Sequence, residues 1–114
     1  MNENSIEFLI EVLTPELAAF VFCESKEKLF EYENNFNTMP AEVKARLDFL
    51  LKIIKHLEEI CNDEGVRQWF FRPRVRLNGI SPIIIFYKGR WKPEDELPQA
   101  VMRFAESLCD ADVT

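Results

Sequence analysis

Three arginines stand at alternate positions, Arg72, Arg74 and Arg76, directly behind a run of three aromatic residues that begins at Trp69. A guanidinium is planar and can donate two parallel hydrogen bonds to a carboxylate, and a large aromatic side chain can bury much area at an interface. These residue types in this order indicate binding of an acidic partner. The alternative is that the aromatic residues belong to the core, where buried aromatic side chains are usually found.

Side chains that could carry out catalysis or hold a metal are few and scattered. The single histidine, His56, falls in the middle of a predicted helix, and the three cysteines form no C-x-x-C pair. Only three glycines are present, and they form no loop that could hold a phosphate. We therefore expect no catalytic residue, no metal site and no cofactor, and a protein that is not an enzyme.

Prolines and a glycine predict a fixed corner between two helices at residues 69–82. Pro73 ends the helix that carries Trp69, because its ring blocks the carbonyl four residues earlier and it has no N–H. Gly79 can adopt a backbone conformation that is closed to residues with a Cβ. Ser81 can then cap the next helix, and Pro82 suits its first position.

The hydrophobic pattern as a whole predicts an all-α fold, a small bundle of about six to seven helices. A helix-turn-helix-like part is expected at residues 13–34, with Thr14 and Ser25 as N-caps. It should pack on a long central helix over residues 40–61, in which apolar residues alternate steps of three and four. Short helices should follow at the C-terminal end.

Side-chain burial can be predicted from the same pattern. Residues 18–22 are nearly all apolar, so the short helix that contains them should be buried. In the next helix we expect Leu29 and Phe30 to point inward, with Tyr32 or Glu33 one turn on. On the long helix, Ile60 should widen the apolar seam.

Three boundaries in the C-terminal half are predicted from local signals. Residues 62–65 should be a break, followed by a short helix at 66–71. Residues 83–87 favour a strand by local propensity, whereas their flanks favour a short helix, and we predict the helix. A final amphipathic helix is expected over residues 98–108.

The charge of the chain is uneven. The formal net charge is −6, which argues against general binding of nucleic acid by the whole surface. Basic side chains concentrate in residues 67–92, and the N-terminal third is acidic. No N-terminal signal is visible and the longest apolar run, residues 83–87, is too short to cross a bilayer, so we expect a soluble protein of the cytoplasm without membrane contact.

The spacing W-F-x-x-P-x-x-x-L-x-G-x-S-P at residues 69–82 resembles the toxin-binding part of the Xre/MbcA/ParS-like antitoxin family. Phe86, Tyr87 and Gly89 resemble the apolar pair and glycine stop that follow it, and residues 13–108 can be laid along the family's order of helices. The resemblance implies a helix-turn-helix-like part with the long helix at 1–61 and a toxin-binding part at 62–114, in one compact unit. It also implies a partner toxin, usually a RES-type enzyme that consumes NAD, and a homodimer.

The resemblance divides the residues of this segment into two groups. The candidate toxin-binding residues are Trp69, Phe70, Arg72, Arg74, Arg76, Ser81, Pro82, Phe86 and Tyr87. The residues expected to build the structural corner are Pro73, Leu77, Gly79 and Gly89. Trp69 remains open to both interpretations, since it could simply hold the corner together.

Binding to DNA is an alternative or additional function. In a helix-turn-helix, Ser25, Lys26 and Lys28 would face the DNA, and the protein would then regulate its own gene together with the toxin. Glutamates on the same segment would oppose its approach to phosphates. A transcriptional regulator without a toxin partner and a stand-alone protein-interaction module are therefore the other functions that the sequence leaves open.

Overall fold

A computed structural model describes residues 4–87, 89 and 91–111 of the chain. The described residues form seven α-helices and no strand, which confirms the predicted all-α bundle. In chain order the helices are α1 Asn4–Leu13, α2 Pro15–Phe22, α3 Lys26–Asn34, α4 Ala41–Glu58, α5 Asp63–Phe71, α6 Pro82–Tyr87 and α7 Glu96–Ala111. Short 3₁₀ turns lie at Phe36–Thr38 and Val75–Leu77. The segment that could have been a strand is therefore the helix α6.

Side-chain caps set where three of the helices begin. The Oγ1 of Thr14 accepts from the Leu17 N–H at 3.5 Å, and the Oγ of Ser25 accepts from the Lys28 N–H at 3.1 Å, as predicted. The predicted break at residues 62–65 was wrong except at Asn62, because residues 63–65 are helical. Asn62 caps α5 by accepting from the Gly65 N–H at 2.9 Å, so the helix begins three residues earlier than expected.

Phe30 on α3 and Ile60 after α4 were wrongly predicted to be buried. Phe30 is 43% exposed, because α3 turns its Leu29 and Tyr32 face toward the core and Phe30 lies to one side of it. Ile60 is 42% exposed, because α4 ends at Glu58 and the chain turns before Ile60 can continue the seam. The seam itself is buried, through Val43, Leu47, Leu50, Ile54 and Leu57.

The final helix is longer at both ends than expected. Helix α7 covers Glu96–Ala111, so Pro98 lies in its first turn, where a missing N–H costs no intrahelical bond. The helix packs along α4, and α6 packs on α2. Buried residues from both halves of the sequence form one hydrophobic cluster.

Three long-range hydrogen bonds fix the C-terminal ends of the first two helices. Arg67 Nη1 donates to the Val12 carbonyl at 2.6 Å, Arg46 Nη1 to the Phe22 carbonyl at 2.8 Å, and Trp91 Nε1 to the Val21 carbonyl at 2.7 Å. These carbonyls belong to the last turns of α1 and α2 and have no partner further along their own helix. Side chains from α4, α5 and the α6–α7 connection thus hold the N-terminal helices in place.

The length and polarity of a helix decide whether it could cross a membrane. In the part of the chain that the structure describes, no helix has the length and apolar character needed to cross a bilayer.

Candidate partner-binding surface

The corner between α5 and α6 is a loop closed by its own backbone. The Gly79 N–H donates to the Arg74 carbonyl at 2.8 Å, and the Arg74 N–H donates to the Ile80 carbonyl at 3.2 Å. Two successive residues, Asn78 and Gly79, have positive φ angles of 60° and 78°. Leu77 is 2% exposed and anchors the loop in the core. The corner geometry thus depends on residues that tolerate the left-handed region.

This geometry predicts the effect of adding a Cβ at the corner. Gly79→Ala should lower the free energy of unfolding by about 1–2 kcal/mol, because its positive φ disfavours every L side chain although nothing lies within 4 Å of the new atom. Gly79→Asn should cost clearly less, because Asn tolerates this conformation best. Urea titrations of the two variants would measure this, and an alanine variant as stable as the wild type would contradict it.

The aromatic residues of the predicted toxin-binding set lie mostly inside the protein. Trp69 is 5% exposed and stacks on Phe104 of α7, with ring centroids 5.8 Å apart and an angle of 20° between the planes. Phe70 and Phe86 are fully buried, and Phe86 lies 4.7 Å from Trp91 between ring centroids. In this structure these three side chains pack the core and present little area to a partner.

Two members of the same set at the start of α6 are also buried, whereas the last is exposed. Ser81 is 8% exposed, and its carbonyl accepts the first α6 hydrogen bond, from the Ile84 N–H at 3.1 Å. Pro82 is buried at the first helical position, as predicted. Tyr87, at the other end, is 56% exposed. Gly89 follows with a φ of 106°, and its N–H donates to the Tyr87 carbonyl at 2.7 Å.

The three arginines make contacts of different kinds. Arg74 is half-buried, with its guanidinium carbon 5.6 Å from the ring centroid of Trp69 and 5.4 Å from that of Phe104. Arg76 Nη1 donates to the Ser107 Oγ at 2.8 Å. Arg72 is exposed and donates to the Gln68 Oε1 of its own helix at 3.2 Å. Burial lowers the pKa of the Arg74 guanidinium, and the positive charge of Arg72 lowers it further.

A groove that sequence reasoning missed lies between α2, the start of α3 and the end of α6. Its volume is about 650 Å³. The apolar or uncharged lining includes Ala19, Phe20, Cys23, Ser25, Tyr87 and Gly89, and the charged residues at its edge are Glu16, Glu24, Lys26 and Lys28. The Phe20 and Tyr87 rings meet there with centroids 5.0 Å apart, and we call this surface the aromatic groove.

Phe20 explains why the groove was missed. It belongs to the apolar run predicted to be buried, yet it is 48% exposed. Helix α2 buries Leu17, Ala18, Val21 and Phe22, and Phe20 points away from that face. The sequence carries no signal that separates Phe20 from its buried neighbours. Only the packing of α6 on α2 makes it one wall of a groove.

Cys23 connects the end of α2 to α6 at the base of the aromatic groove. It ends α2 in the left-handed conformation, with a φ of 60°. Its thiol donates to the Phe86 carbonyl at 3.1 Å and lies 3.4 Å from the Gly89 carbonyl. Burial raises the pKa of the Cys23 thiol, so the neutral form is favoured. These contacts point to a structural role and away from nucleophilic chemistry.

The residues predicted to face DNA are engaged within the protein. The Oγ of Ser25 serves as the cap of α3. Lys26 Nζ lies 3.6 Å from a Glu16 carboxylate oxygen, and Lys28 Nζ lies 3.1 Å from one of Glu31. The α2–α3 pair does form two helices joined by a three-residue turn, as a helix-turn-helix requires. Its lysines lie among carboxylates.

The described residues contain no cluster of three or more His, Cys, Asp or Glu side chains that could hold a metal ion. The chain matches no family model, no curated protein and no solved structure.

Proposed function

We propose that this chain is an antitoxin-like protein that binds and neutralises a partner toxin. The proposed binding surface runs along α6, from the arginines of the corner at its start to the aromatic groove at its end. The resemblance of residues 69–82 to the Xre/MbcA/ParS-like family supports a RES-type, NAD-consuming enzyme as the toxin. Such a pair would act in the cytoplasm, where NAD is abundant.

The exposed aromatic pair at the groove is the observation that carries this proposal. Phe20 and Tyr87 are 48% and 56% exposed, and Ile84, one turn before Tyr87, is 43% exposed. Adjoining exposed apolar side chains at a concave surface are typical of protein interfaces. Aromatic residues carry much of the binding energy in such interfaces. The groove has an apolar centre and a charged edge, as interfaces commonly do.

The length of α6 connects the two parts of the proposed surface. The helix has six residues and is therefore about 9 Å long. We propose that one partner spans this distance and contacts both residues 72–76, which we call the arginine corner, and the aromatic groove. The buried residues of the predicted set, among them Trp69 and Phe86, would support this surface from within.

Co-purification tests the proposed binding. The tagged chain would be co-expressed with the product of the adjacent open reading frame, using an inactive variant of that product if the active one is toxic. We expect a stable complex that survives size exclusion, and sedimentation of the chain alone would test the homodimer that the resemblance implies. A wild-type chain that never retains the product would overturn the proposal.

DNA binding by α2–α3 has weaker support than binding to a protein. Lys26 and Lys28 pair with Glu16 and Glu31, which removes much of their attraction for phosphate. We expect no complex between the chain alone and its own upstream DNA in a mobility-shift assay at low salt. A specific complex that weakens as salt rises would support the regulator alternative instead.

A further inference from the structure

The three arginines of the corner have neutral partners in the described part of the chain. Arg72 donates to the Gln68 amide oxygen and Arg76 to the Ser107 hydroxyl. Arg74 Nη2 lies 3.5 Å from the Trp69 carbonyl oxygen. The chain as a whole carries a net charge of −6, so carboxylates are plentiful elsewhere. Lys26, Lys28 and Lys52 pair with carboxylates elsewhere, whereas the three arginines have uncharged partners among the described residues, so the arginine corner is a local excess of positive charge.

Two buried N–H donors of the corner have no acceptor among the described residues. These are Trp69 Nε1 and Arg74 Nε, and the Trp69 side chain is 5% exposed. An unpaired buried donor costs about 1–3 kcal/mol, so such donors are rare in folded proteins. The other tryptophan, Trp91, does have a partner, since its Nε1 donates to the Val21 carbonyl at 2.7 Å. The corner therefore has more donors than acceptors.

Exposed apolar side chains flank the same arginines. Val75 lies between Arg74 and Arg76 and is 94% exposed. Phe71, at the end of α5, is 57% exposed. A surface that combines guanidiniums with exposed apolar groups matches a segment that alternates carboxylates with apolar side chains.

We propose that the arginine corner recognises an acidic segment of a partner protein, with carboxylates on the guanidiniums and apolar side chains on Phe71 and Val75. This inference rests on the proposed function in that the segment would belong to the toxin. The carboxylates supply the acceptors that the corner lacks, and binding draws Arg74 toward the partner and away from the Trp69 ring. A protein segment is favoured over nucleic acid, because a phosphate backbone offers no apolar side chain for Val75, which is 94% exposed between two arginines.

The indole N–H resonances of the two tryptophans in an NMR spectrum report binding at the arginine corner directly. The full chain labelled with ¹⁵N would be titrated with a ten-residue peptide that alternates aspartate and leucine. We expect the Trp69 resonance to move, because the guanidinium of Arg74 lies over that ring, while the Trp91 resonance stays in place as an internal reference. A matched peptide with asparagine in place of aspartate should bind at least tenfold more weakly.

Variants and a competing ligand complete the test. Arg72→Gln should weaken binding of the aspartate peptide about tenfold and leave the Trp69–Phe104 stack unaltered. Lys55→Gln, which removes an exposed charge from α4, should leave binding of the peptide unchanged. A Trp69 resonance that stays in place at millimolar aspartate peptide overturns the inference, as does equal binding of the asparagine peptide. Tighter binding of a ten-nucleotide single-stranded DNA would overturn it in favour of nucleic acid.

The peptide titration and the co-purification can give different answers, so the inference and the proposed function are tested separately. If the adjacent gene product co-purifies with the chain but the acidic peptide leaves the Trp69 resonance unmoved, the proposed function stands and the acidic-segment inference fails. If the peptide binds as expected and the gene product does not co-purify, the corner's preference for acidic segments stands and the toxin partner fails.

Discussion

Phe86→Ala is expected to lower the free energy of unfolding by about 3–5 kcal/mol, a large fraction of the total for a chain of this size. The Phe86 side chain is fully buried between Phe70 and Trp91, with ring centroids 6.3 and 4.7 Å away. Its removal would leave a cavity where α6 packs on α2, and the surrounding helices could close it only in part. Urea unfolding followed by circular dichroism would measure the change.

Ile84→Ala is the matched control on the same helix. Ile84 is 43% exposed, so its truncation should cost about 1 kcal/mol or less. If the two variants unfold at the same urea concentration, the burial assigned to Phe86 is wrong. The sequence alone proposed Phe86 as a contact residue, and this pair of variants separates that role from a role in the core.

The double variant Phe20→Ala/Tyr87→Ala is expected to weaken binding of the partner about hundredfold, or about 2.7 kcal/mol. The two rings are half-exposed and contact each other across the aromatic groove, so their joint removal takes away its apolar centre. The effects of the single variants should not add, because the rings touch. Isothermal titration calorimetry against the product of the adjacent gene would measure the affinities.

Phe30→Ala is the control for this prediction. Phe30 is an aromatic residue of similar exposure, 43%, on α3, and it does not line the groove. Phe30→Ala should bind the partner as the wild type does, and both it and the double variant should keep nearly the wild-type stability. Equal loss of affinity in the Phe30 variant would mean that the groove is not the binding site.

Local signals explain why much of the fold was predictable. Thr14 with Pro15, and Ser25 three residues before Lys28, act through hydrogen bonds within a single turn, so the helix starts they define can be read from sequence. Helix α6 also begins as predicted, with Pro82 at its first position and the Ser81 carbonyl as its first acceptor, despite the strand propensity of its β-branched residues. Asn62 caps α5 through the same kind of bond, although the residues around it predicted a break.

Long-range packing explains what could not be predicted. Whether Phe20 or Phe30 faces the core depends on how α2 and α3 pack against the other helices, and no local pattern encodes that. Arg67 caps α1 from 55 residues away, and no spacing rule predicts such a bond. Tertiary contacts also divide the candidate site. Three of its four aromatic residues, Trp69, Phe70 and Phe86, are buried, whereas Tyr87 is exposed and contacts Phe20.

Co-expression in a growing cell tests the central claim most directly. The active product of the adjacent open reading frame would be induced with and without this chain, while growth and cellular NAD are followed. We expect the product alone to deplete NAD and stop growth, the wild-type chain and Phe30→Ala to restore both, and Phe20→Ala/Tyr87→Ala to fail. NAD depletion and arrest that continue unchanged in the presence of the folded wild-type chain would contradict the proposed antitoxin function.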